Sequence, residues 1–325
     1  MCKVSAVIIG YNSEKYINKC IESVINQTLQ DIEIVCIDDG SNDNTFMIMK
    51  DYALEDKRIK VYSQKNSGPY IARMYGLNNA TGEYVVFIDS DDWIENNMLE
   101  EVYDCISKNN LNLVFFDMVK DDMINNISNH IKLPISSEKI ILKKEISDVI
   151  YKKCMNNTQF SSPCNKMIKR SYINSLDIQQ DVKLLYGEDL IFMLELYDKL
   201  ECTYYIPKEY YHYCSYSKES LSKRHNNDAF FEVHKYLYNI RRVYAKKWST
   251  EKYLYASMLF LGVCEIIYDI KDKKNIFVIK RYIRDDIFRE CVLKTDKMVY
   301  REIVGKMSTW NVVRILKILL KILGV

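Results

Sequence analysis

The chain has 325 residues, 48% of them hydrophobic and 28% charged, with a net charge of +2. That is the make-up of a globular protein of up to two domains, and it argues against a dominantly basic nucleic-acid binder. Ten cysteines occur without a CxxC pair and four histidines without an HExxH, so the usual zinc spacings are missing. The charge is uneven: residues 271–325 carry +8 and the preceding 270 residues −6. Scattered thiols and an N-terminus that enters a strand at once predict a chain without a signal peptide, in a reducing cytoplasm. No run of about 18 apolar residues predicts a membrane span.

In chain order, Val4–Gly10 reads as an apolar strand that opens into a loop at Tyr11-Asn12-Ser13. Ile17, Ile21, Val24 and Ile25 then fall on one face of a helix. Ile32–Ile37 is a second apolar strand ending in Asp38-Asp39-Gly40-Ser41, and Asp43 or Asn44 suits the cap of the next helix. A third strand at 58–62 leads through Asn66-Ser67-Gly68-Pro69 into a helix bearing Ile71, Met74, Tyr75 and Leu77. Tyr84–Ile88 is a fourth strand, Met98 through Ile106 a helix, and residues 111–116 a fifth strand. Strands alternating with helices at this spacing predict an α/β fold, a mostly parallel sheet with helices on both faces. Residues 121–147 read as a polar excursion or connector, 158–215 as irregular with a tyrosine cluster, and everything from 226 onward as helical.

The fourth strand runs out into Asp89-Ser90-Asp91-Asp92. Ligands of open α/β sheets bind at the carboxyl ends of strands. Three carboxylates in four residues repel one another unless a cation lies among them, which points to a hard divalent cation and a phosphorylated ligand. The alternative is an acidic surface turn with Asp92 capping the next helix. A second strand, Ile32–Ile37, also ends in paired aspartates. The ends of adjacent parallel strands lie side by side, which predicts nucleotide recognition at one and metal–phosphate binding at the other.

Four blocks in this order and spacing resemble glycosyltransferase family 2, the inverting enzymes with the GT-A nucleotide-sugar fold. They are Val4 to Asn12, Ile37 to Asp43, Asn66 to Arg73, and Gly82-Glu83-Tyr84 leading into Asp89 to Asp92. Ser162-Pro163-Cys164-Asn165-Lys166 and Gly187-Glu188-Asp189 are similar to segments of the bacterial surface-polysaccharide members. The resemblance implies a nucleotide-sugar site built from Tyr11, Asn12, Asp38, Asp39, Gly68, Arg73, Asp89 and Ser90. Asp39 would bind the nucleobase, Asp38 would support that loop, Asp89 would hold the ribose or a water, and Asp91 would be the direct ligand of Mn²⁺ or Mg²⁺. Arg73 would add a fixed positive charge; the family often has Asn after it, where this chain has Met74. Asp189 would be the general base, with Glu188 the fallback, although acidic residues in a first helical turn are favoured by the helix dipole in any case. Trp93 would face the acceptor sugar or be buried. Lys166 would meet phosphate or acceptor, or be an exposed lysine, and His225 would approach the diphosphate from a loop or be a surface histidine.

The implied division is 1–120 for the nucleotide-sugar half, 121–225 for the acceptor half with the base, and 226–325 for a helical region. Residues 309–325 place Trp310, Arg314, Lys317 and Lys321 among apolar residues at helical spacing. That suits an anionic membrane surface, with packing on the protein's own core or a homodimer contact as alternatives. The expected activity is metal-dependent transfer of a sugar, with inversion, from a nucleotide-sugar, a UDP-sugar first among them. The acceptor would be a saccharide or lipid-linked saccharide in cell-surface polysaccharide synthesis, at the inner face of the membrane. The rivals are a nucleotidyltransferase, disfavoured because Gly10-Tyr11-Asn12-Ser13 is not a basic phosphate loop, and a non-catalytic nucleotide-sugar-binding or scaffold protein.

Overall fold

The computed structural model describes residues 2–133, 135, 137–149, 158–176, 178, 187–216, 227–272, 277–304 and 309–322. The elements begin with β1 (Val4–Gly10), α1 (Ile17–Ile25), β2 (Ile32–Asp38), α2 (Thr45–Glu55), β3 (Ile59–Ser63), α3 (Pro69–Asn79), β4 (Tyr84–Asp89) and β5 (Trp93–Ile94). Then come α4 (Met98–Lys108), β6 (Leu113–Asp122), β7 (Ile127–Ile131), β8 (Lys139–Leu142), α5 (Lys143–Asp148), α6 (Thr158–Ser161), β9 (Lys166–Lys169), α7 (Arg170–Asn174), α8 (Glu188–Lys199) and β10 (Cys202–Ser215). The helices α9 (Asn227–Lys247), α10 (Glu251–Asp272), α11 (Phe277–Arg284), α12 (Asp286–Lys294), α13 (Lys297–Val304) and α14 (Trp310–Ile322) follow. They divide into one unit of residues 1–143 with 161–225, and another of 144–160 with 226–325.

The first unit is built on one sheet in the order β3-β2-β1-β4-β9-β6-β10-β5. Its first four strands are parallel; β9 is antiparallel to both β4 and β6, and β10 runs parallel to β6. All seven residues of β1 and of β2 are buried, as befits central strands covered on both faces. The expected helix face of α1 is present: Ile17, Ile21 and Val24 are buried, joined by Cys20, with Ile25 at the margin.

Three expectations are corrected. The strands ending in Asp38 and Asp89 are not neighbours: β1 lies between them, with Gly10 beside Asp38 and Ile9 beside Asp89. Both acidic ends still lie in one row, because the strands are parallel and in register. Asp92 is no helix cap; Asn97 occupies the N-cap position of α4. The segment 158–215 is not irregular but holds two strands and three helices, including the 14-residue β10. Pro207 hides that strand from a pattern reading, since proline cannot donate to a ladder. The register with β6 shifts between Ile206 and Glu209, which accommodates it.

In the second unit α10 is packed by α9, α11, α12 and α13, and α14 lies on α12. Asp285 caps α12 by accepting the Phe288 N–H at 2.9 Å. Val313 and Leu316 of α14 are buried, and Lys317 donates to the Thr295 carbonyl at the end of α12, 2.8 Å away. Lys317 thus leaves the expected cationic stripe and meets the negative end of a neighbouring helix. Arg314, Ile315 and Ile318 remain exposed. Among the described residues no helix is long and apolar enough to cross a membrane.

Gly76 sets how closely α3 approaches the sheet. A Cβ there would lie 2.3 Å from Val7 Cγ1 and 3.2 Å from Ile37 Cγ1. Replacing a helical glycine with alanine gains about 0.5–1 kcal/mol, but overpacking against a stiff β-branched neighbour costs about 1–3 kcal/mol. Gly76→Ala is therefore expected to lower stability in urea unfolding by about 1 kcal/mol or more, despite its better helix propensity.

Candidate active site

The site is assembled where β1, β2 and β4 end. Tyr11, just past β1, is 48% exposed. Asn12 adopts φ 51°, a left-handed conformation that asparagine tolerates. Its N–H donates to Ser41 Oγ and its Oδ1 accepts the Asn42 N–H, which joins the loops after β1 and β2. Asp38 accepts the Ser41 N–H at 3.1 Å and the Ser63 hydroxyl at 2.9 Å.

Asp39, buried beside Asp38, organises the entry to α3. Its Oδ1 accepts from Gln64 Nε2 at 2.7 Å and the Ser67 N–H at 2.9 Å, and its Oδ2 accepts the Gly68 N–H at 2.9 Å. Gly68 has φ 90° and Pro69 follows at the first helical turn, so the chain turns sharply into the helix that carries Arg73. A carboxylate offers about four acceptor positions, so Asp39 keeps one for a further donor.

Arg73 is the centre of the site. It is 4% exposed, donates from Nη1 to Asp189 Oδ1 at 2.5 Å and from Nη2 to Asp89 Oδ1 at 2.8 Å. Its Nε is buried without a partner. Asp89 receives the Cys164 thiol on its other oxygen, at 3.6 Å. Asp189 sits in the first turn of α8, directly after Gly187 at φ 90° and Glu188. Burial pushes the Asp189 carboxyl up to about 7, against the downward pull of Arg73, with the nearby charges of Glu188 and Asp89 adding to the rise. Lys166 is fully buried rather than exposed and donates to the Ser162 carbonyl at 2.6 Å and Asn165 Oδ1 at 2.7 Å. Its charge also acts on Asp189, in the lowering direction.

The acidic turn beyond β4 has one open member. Ser90 is buried, its hydroxyl 2.6 Å from that of Ser13. Asp92 is 2% exposed and accepts the Tyr211 hydroxyl at 2.6 Å and the Cys214 N–H at 2.8 Å. Asp91 is exposed to solvent. Desolvation, and then the charge of Asp89, push its carboxyl up to about 6. Trp93 stacks on His212, ring centroids 3.5 Å apart, with the Lys19 ammonium 4.2 Å from its ring centre. His225 lies outside the described residues.

The donor set fits a divalent cation in one particular way. Among the described residues no three His, Cys, Asp or Glu side chains gather as a ready-made cage. Asp92 is engaged by Tyr211 and Cys214, and Asp89 by Arg73 and Cys164, which leaves the Asp91 carboxylate free to bind. One carboxylate, with the remaining positions filled by water and substrate phosphates, is the usual manner of Mg²⁺. The upward push on Asp91 by its own surroundings is the kind of stress a bound cation relieves.

A family model described as glycosyl transferase family 2 matches residues 5–176. The chain belongs to that family. A cholesterol galactosyltransferase of Borreliella burgdorferi is 30% identical over 213 residues, 64% of this chain and 59% of that protein. Glycosyltransferase GlyA of Streptococcus pneumoniae serotype 4 is 46% identical over 101 residues, 31% of this chain and 14% of that protein. The chain thus spans less than two thirds of these relatives. Among solved structures, S. aureus TarS 1-349 in complex with UDP-GlcNAc superposes with a TM-score of 0.70 at 22% identity, over 94% of this chain and 85% of that one. At this identity the likeness shows the fold, a GT-A α/β domain followed by helices.

Tyr211, noticed only as one of a tyrosine cluster, and Gln64, which stands in no motif, join the site because each acts across the sheet or between loops. Cys164 stood in a motif block but without a role. Replacing Arg73 with Gln removes the cation that holds Asp189 down. The Asp189 carboxyl is then expected to titrate above its wild-type midpoint of about 7 in a carboxyl NMR titration; an unmoved midpoint would show that the pair does not act on it.

Proposed function

We propose that this chain is an inverting glycosyltransferase that moves a sugar from a nucleotide-sugar donor, a UDP-sugar, to a hydroxyl of a saccharide acceptor. The observation that carries the reading is the buried Arg73 bridging Asp89 of the donor-side turn and Asp189, a carboxylate poised near neutral pH. The TarS structures in complex with UDP-GlcNAc and with UDP, on the same fold, support a uridine nucleotide in the cleft at the ends of β1, β2 and β4.

In this reading the loops held by Asp38 and Asp39 receive the nucleoside, and the one open acceptor position of Asp39 faces a nucleobase N–H. Asp189 takes the proton of the acceptor hydroxyl. The acceptor oxygen then forms its bond to the anomeric carbon as the bond to the diphosphate breaks on the opposite face, which inverts that carbon. Arg73 fixes the spacing between base and donor turn. Mn²⁺ or Mg²⁺ held by Asp91 would supply charge neutralisation for the departing diphosphate.

A lipid-linked acceptor of a cell-surface polysaccharide, at the cytoplasmic face of a membrane, suits the second unit. Exposed Arg314, Ile315 and Ile318 offer a cationic and apolar surface on α14. The name of the Borreliella relative, a cholesterol galactosyltransferase, supports an acceptor of lipid character.

Hydrolysis of a panel of nucleotide-sugars, with and without Mn²⁺, tests the activity. Release of one nucleoside diphosphate is expected, reduced about 100-fold or more in Asp189→Ala and in Asp91→Ala; equal release by wild type and both variants would sink the reading. Because the base must be ionised, kcat/KM should rise with pH through about 7, the midpoint of Asp189, and the limb should vanish in Asp189→Asn.

Membrane docking has its own test. Deleting α14 would uncover the surface that Val313 and Leu316 bury, so substitutions on its exposed side are the cleaner probe. Arg314→Glu combined with Ile315→Ser and Ile318→Ser should weaken binding to phosphatidylserine vesicles by about tenfold. Undiminished binding would remove α14 from the docking surface.

A further inference from the structure

The acidic turn is held in place by a strand more than a hundred residues away. Tyr211 of β10 is completely buried, and its hydroxyl makes two bonds to that turn. It accepts the Asp89 backbone N–H at 3.2 Å and donates to Asp92 Oδ2 at 2.6 Å. The other Asp92 oxygen accepts the Cys214 backbone N–H of the same strand at 2.8 Å. The Asp92 N–H closes the turn on the Asp89 carbonyl at 3.0 Å. Beyond the turn, Ile94 and Trp93 of β5 pair with Tyr211 and His212. Both neighbours of the Ser90-Asp91 pair are therefore tied to β10, while the Asp91 side chain takes part in none of these bonds.

We propose that Tyr211 is a positioning residue whose hydroxyl, locked between the Asp89 amide and the Asp92 carboxylate, fixes the turn that presents Asp91 to a divalent cation and the donor diphosphate. The role rests on the donor reading given above. Like charges at Asp89 and Asp91 push the turn apart, and an unbraced turn would relieve that stress by swinging Asp91 outward. The clasp removes this freedom before any ligand arrives, so ligand binding need not order the turn. A phenylalanine at 211 keeps the shape of the ring but loses both bonds and leaves the Asp89 amide and Asp92 Oδ2 without this partner.

Tyr205 supplies the control. It lies on the same strand, is 1% exposed, and donates its hydroxyl to Asp117 Oδ2 at 2.7 Å, away from the turn. UDP binding to the full chain, measured by calorimetry with Mn²⁺ and again with EDTA, separates positioning from general stability. Tyr211→Phe should weaken UDP binding in Mn²⁺ about tenfold and leave the metal-free affinity unchanged. Tyr205→Phe should lower Tm as much as Tyr211→Phe does while binding UDP as the wild type does. Asp92→Asn, which keeps the side-chain shape and disturbs the other half of the clasp, should shift the Mn²⁺-dependent affinity in the same direction and serves should Tyr211→Phe fail to fold.

Wild-type affinity in Tyr211→Phe, or an equal loss in Tyr205→Phe, overturns the proposal while the donor reading stands. A wild type whose UDP binding ignores Mn²⁺ overturns the metal-dependent reading and this proposal with it.

Discussion

A guanidinium buried between two carboxylates sets the terms for the rest of this molecule. Arg73 lies 16 residues before Asp89 and 116 before Asp189, and only the folded sheet brings the three together. Removing one partner from a buried ion pair costs about 3–5 kcal/mol when the remaining charge is sealed from water. Here both carboxylates keep about 30% of their side-chain surface, so solvent screening reduces that figure. The bridge therefore matters more for geometry than for stability: it holds the donor-side turn and the candidate base at one fixed spacing.

The carboxylates around this bridge divide into those the fold engages and one it leaves open. Asp38 and Asp39 each bind loop donors, and Asp92 binds β10. Only Asp91 of the acidic run is left without such a bond from another residue and faces solvent. Burial and like-charge repulsion push Asp91 and Asp189 upward by the same physics, but in different company. Asp91 has Asp89 beside it and no compensating cation, while Asp189 has Arg73 in contact and Lys166 at longer range. On the proposed reading the first arrangement would hold a cation and the second would accept a proton.

Much of this was legible in the residues. The strands β1, β2 and β4 are apolar runs, the ends of β2 and β4 are marked by the acidic motifs, and the face of α1 follows from its spacing. The Asp43 cap signal was also legible: its carboxylate accepts the Thr45 N–H at 3.0 Å, while Asn44 holds the cap position without a side-chain bond. What misled was context. Tyrosines around Pro207 concealed the 14-residue β10, and Lys317, expected among the cations that meet an anionic membrane, turns to a helix end instead. A periodicity shows which residues share a face, not what covers that face.

By itself the sequence determined the local alphabet: which runs must be buried strands, which residues share a helix face, and which family's motifs the first half carries. It determined these because apolar runs, helical periodicity and motif spacing are properties of short segments. The tertiary structure alone decided that β1 separates the two acidic strand ends, that Arg73 spans Asp89 and Asp189, and that Tyr211 braces the turn before Asp91. Those are contacts between segments up to about 120 residues apart, and nothing within either segment encodes the other. They exist because strand order and register place one carboxylate, and not its neighbours, within reach of a given donor.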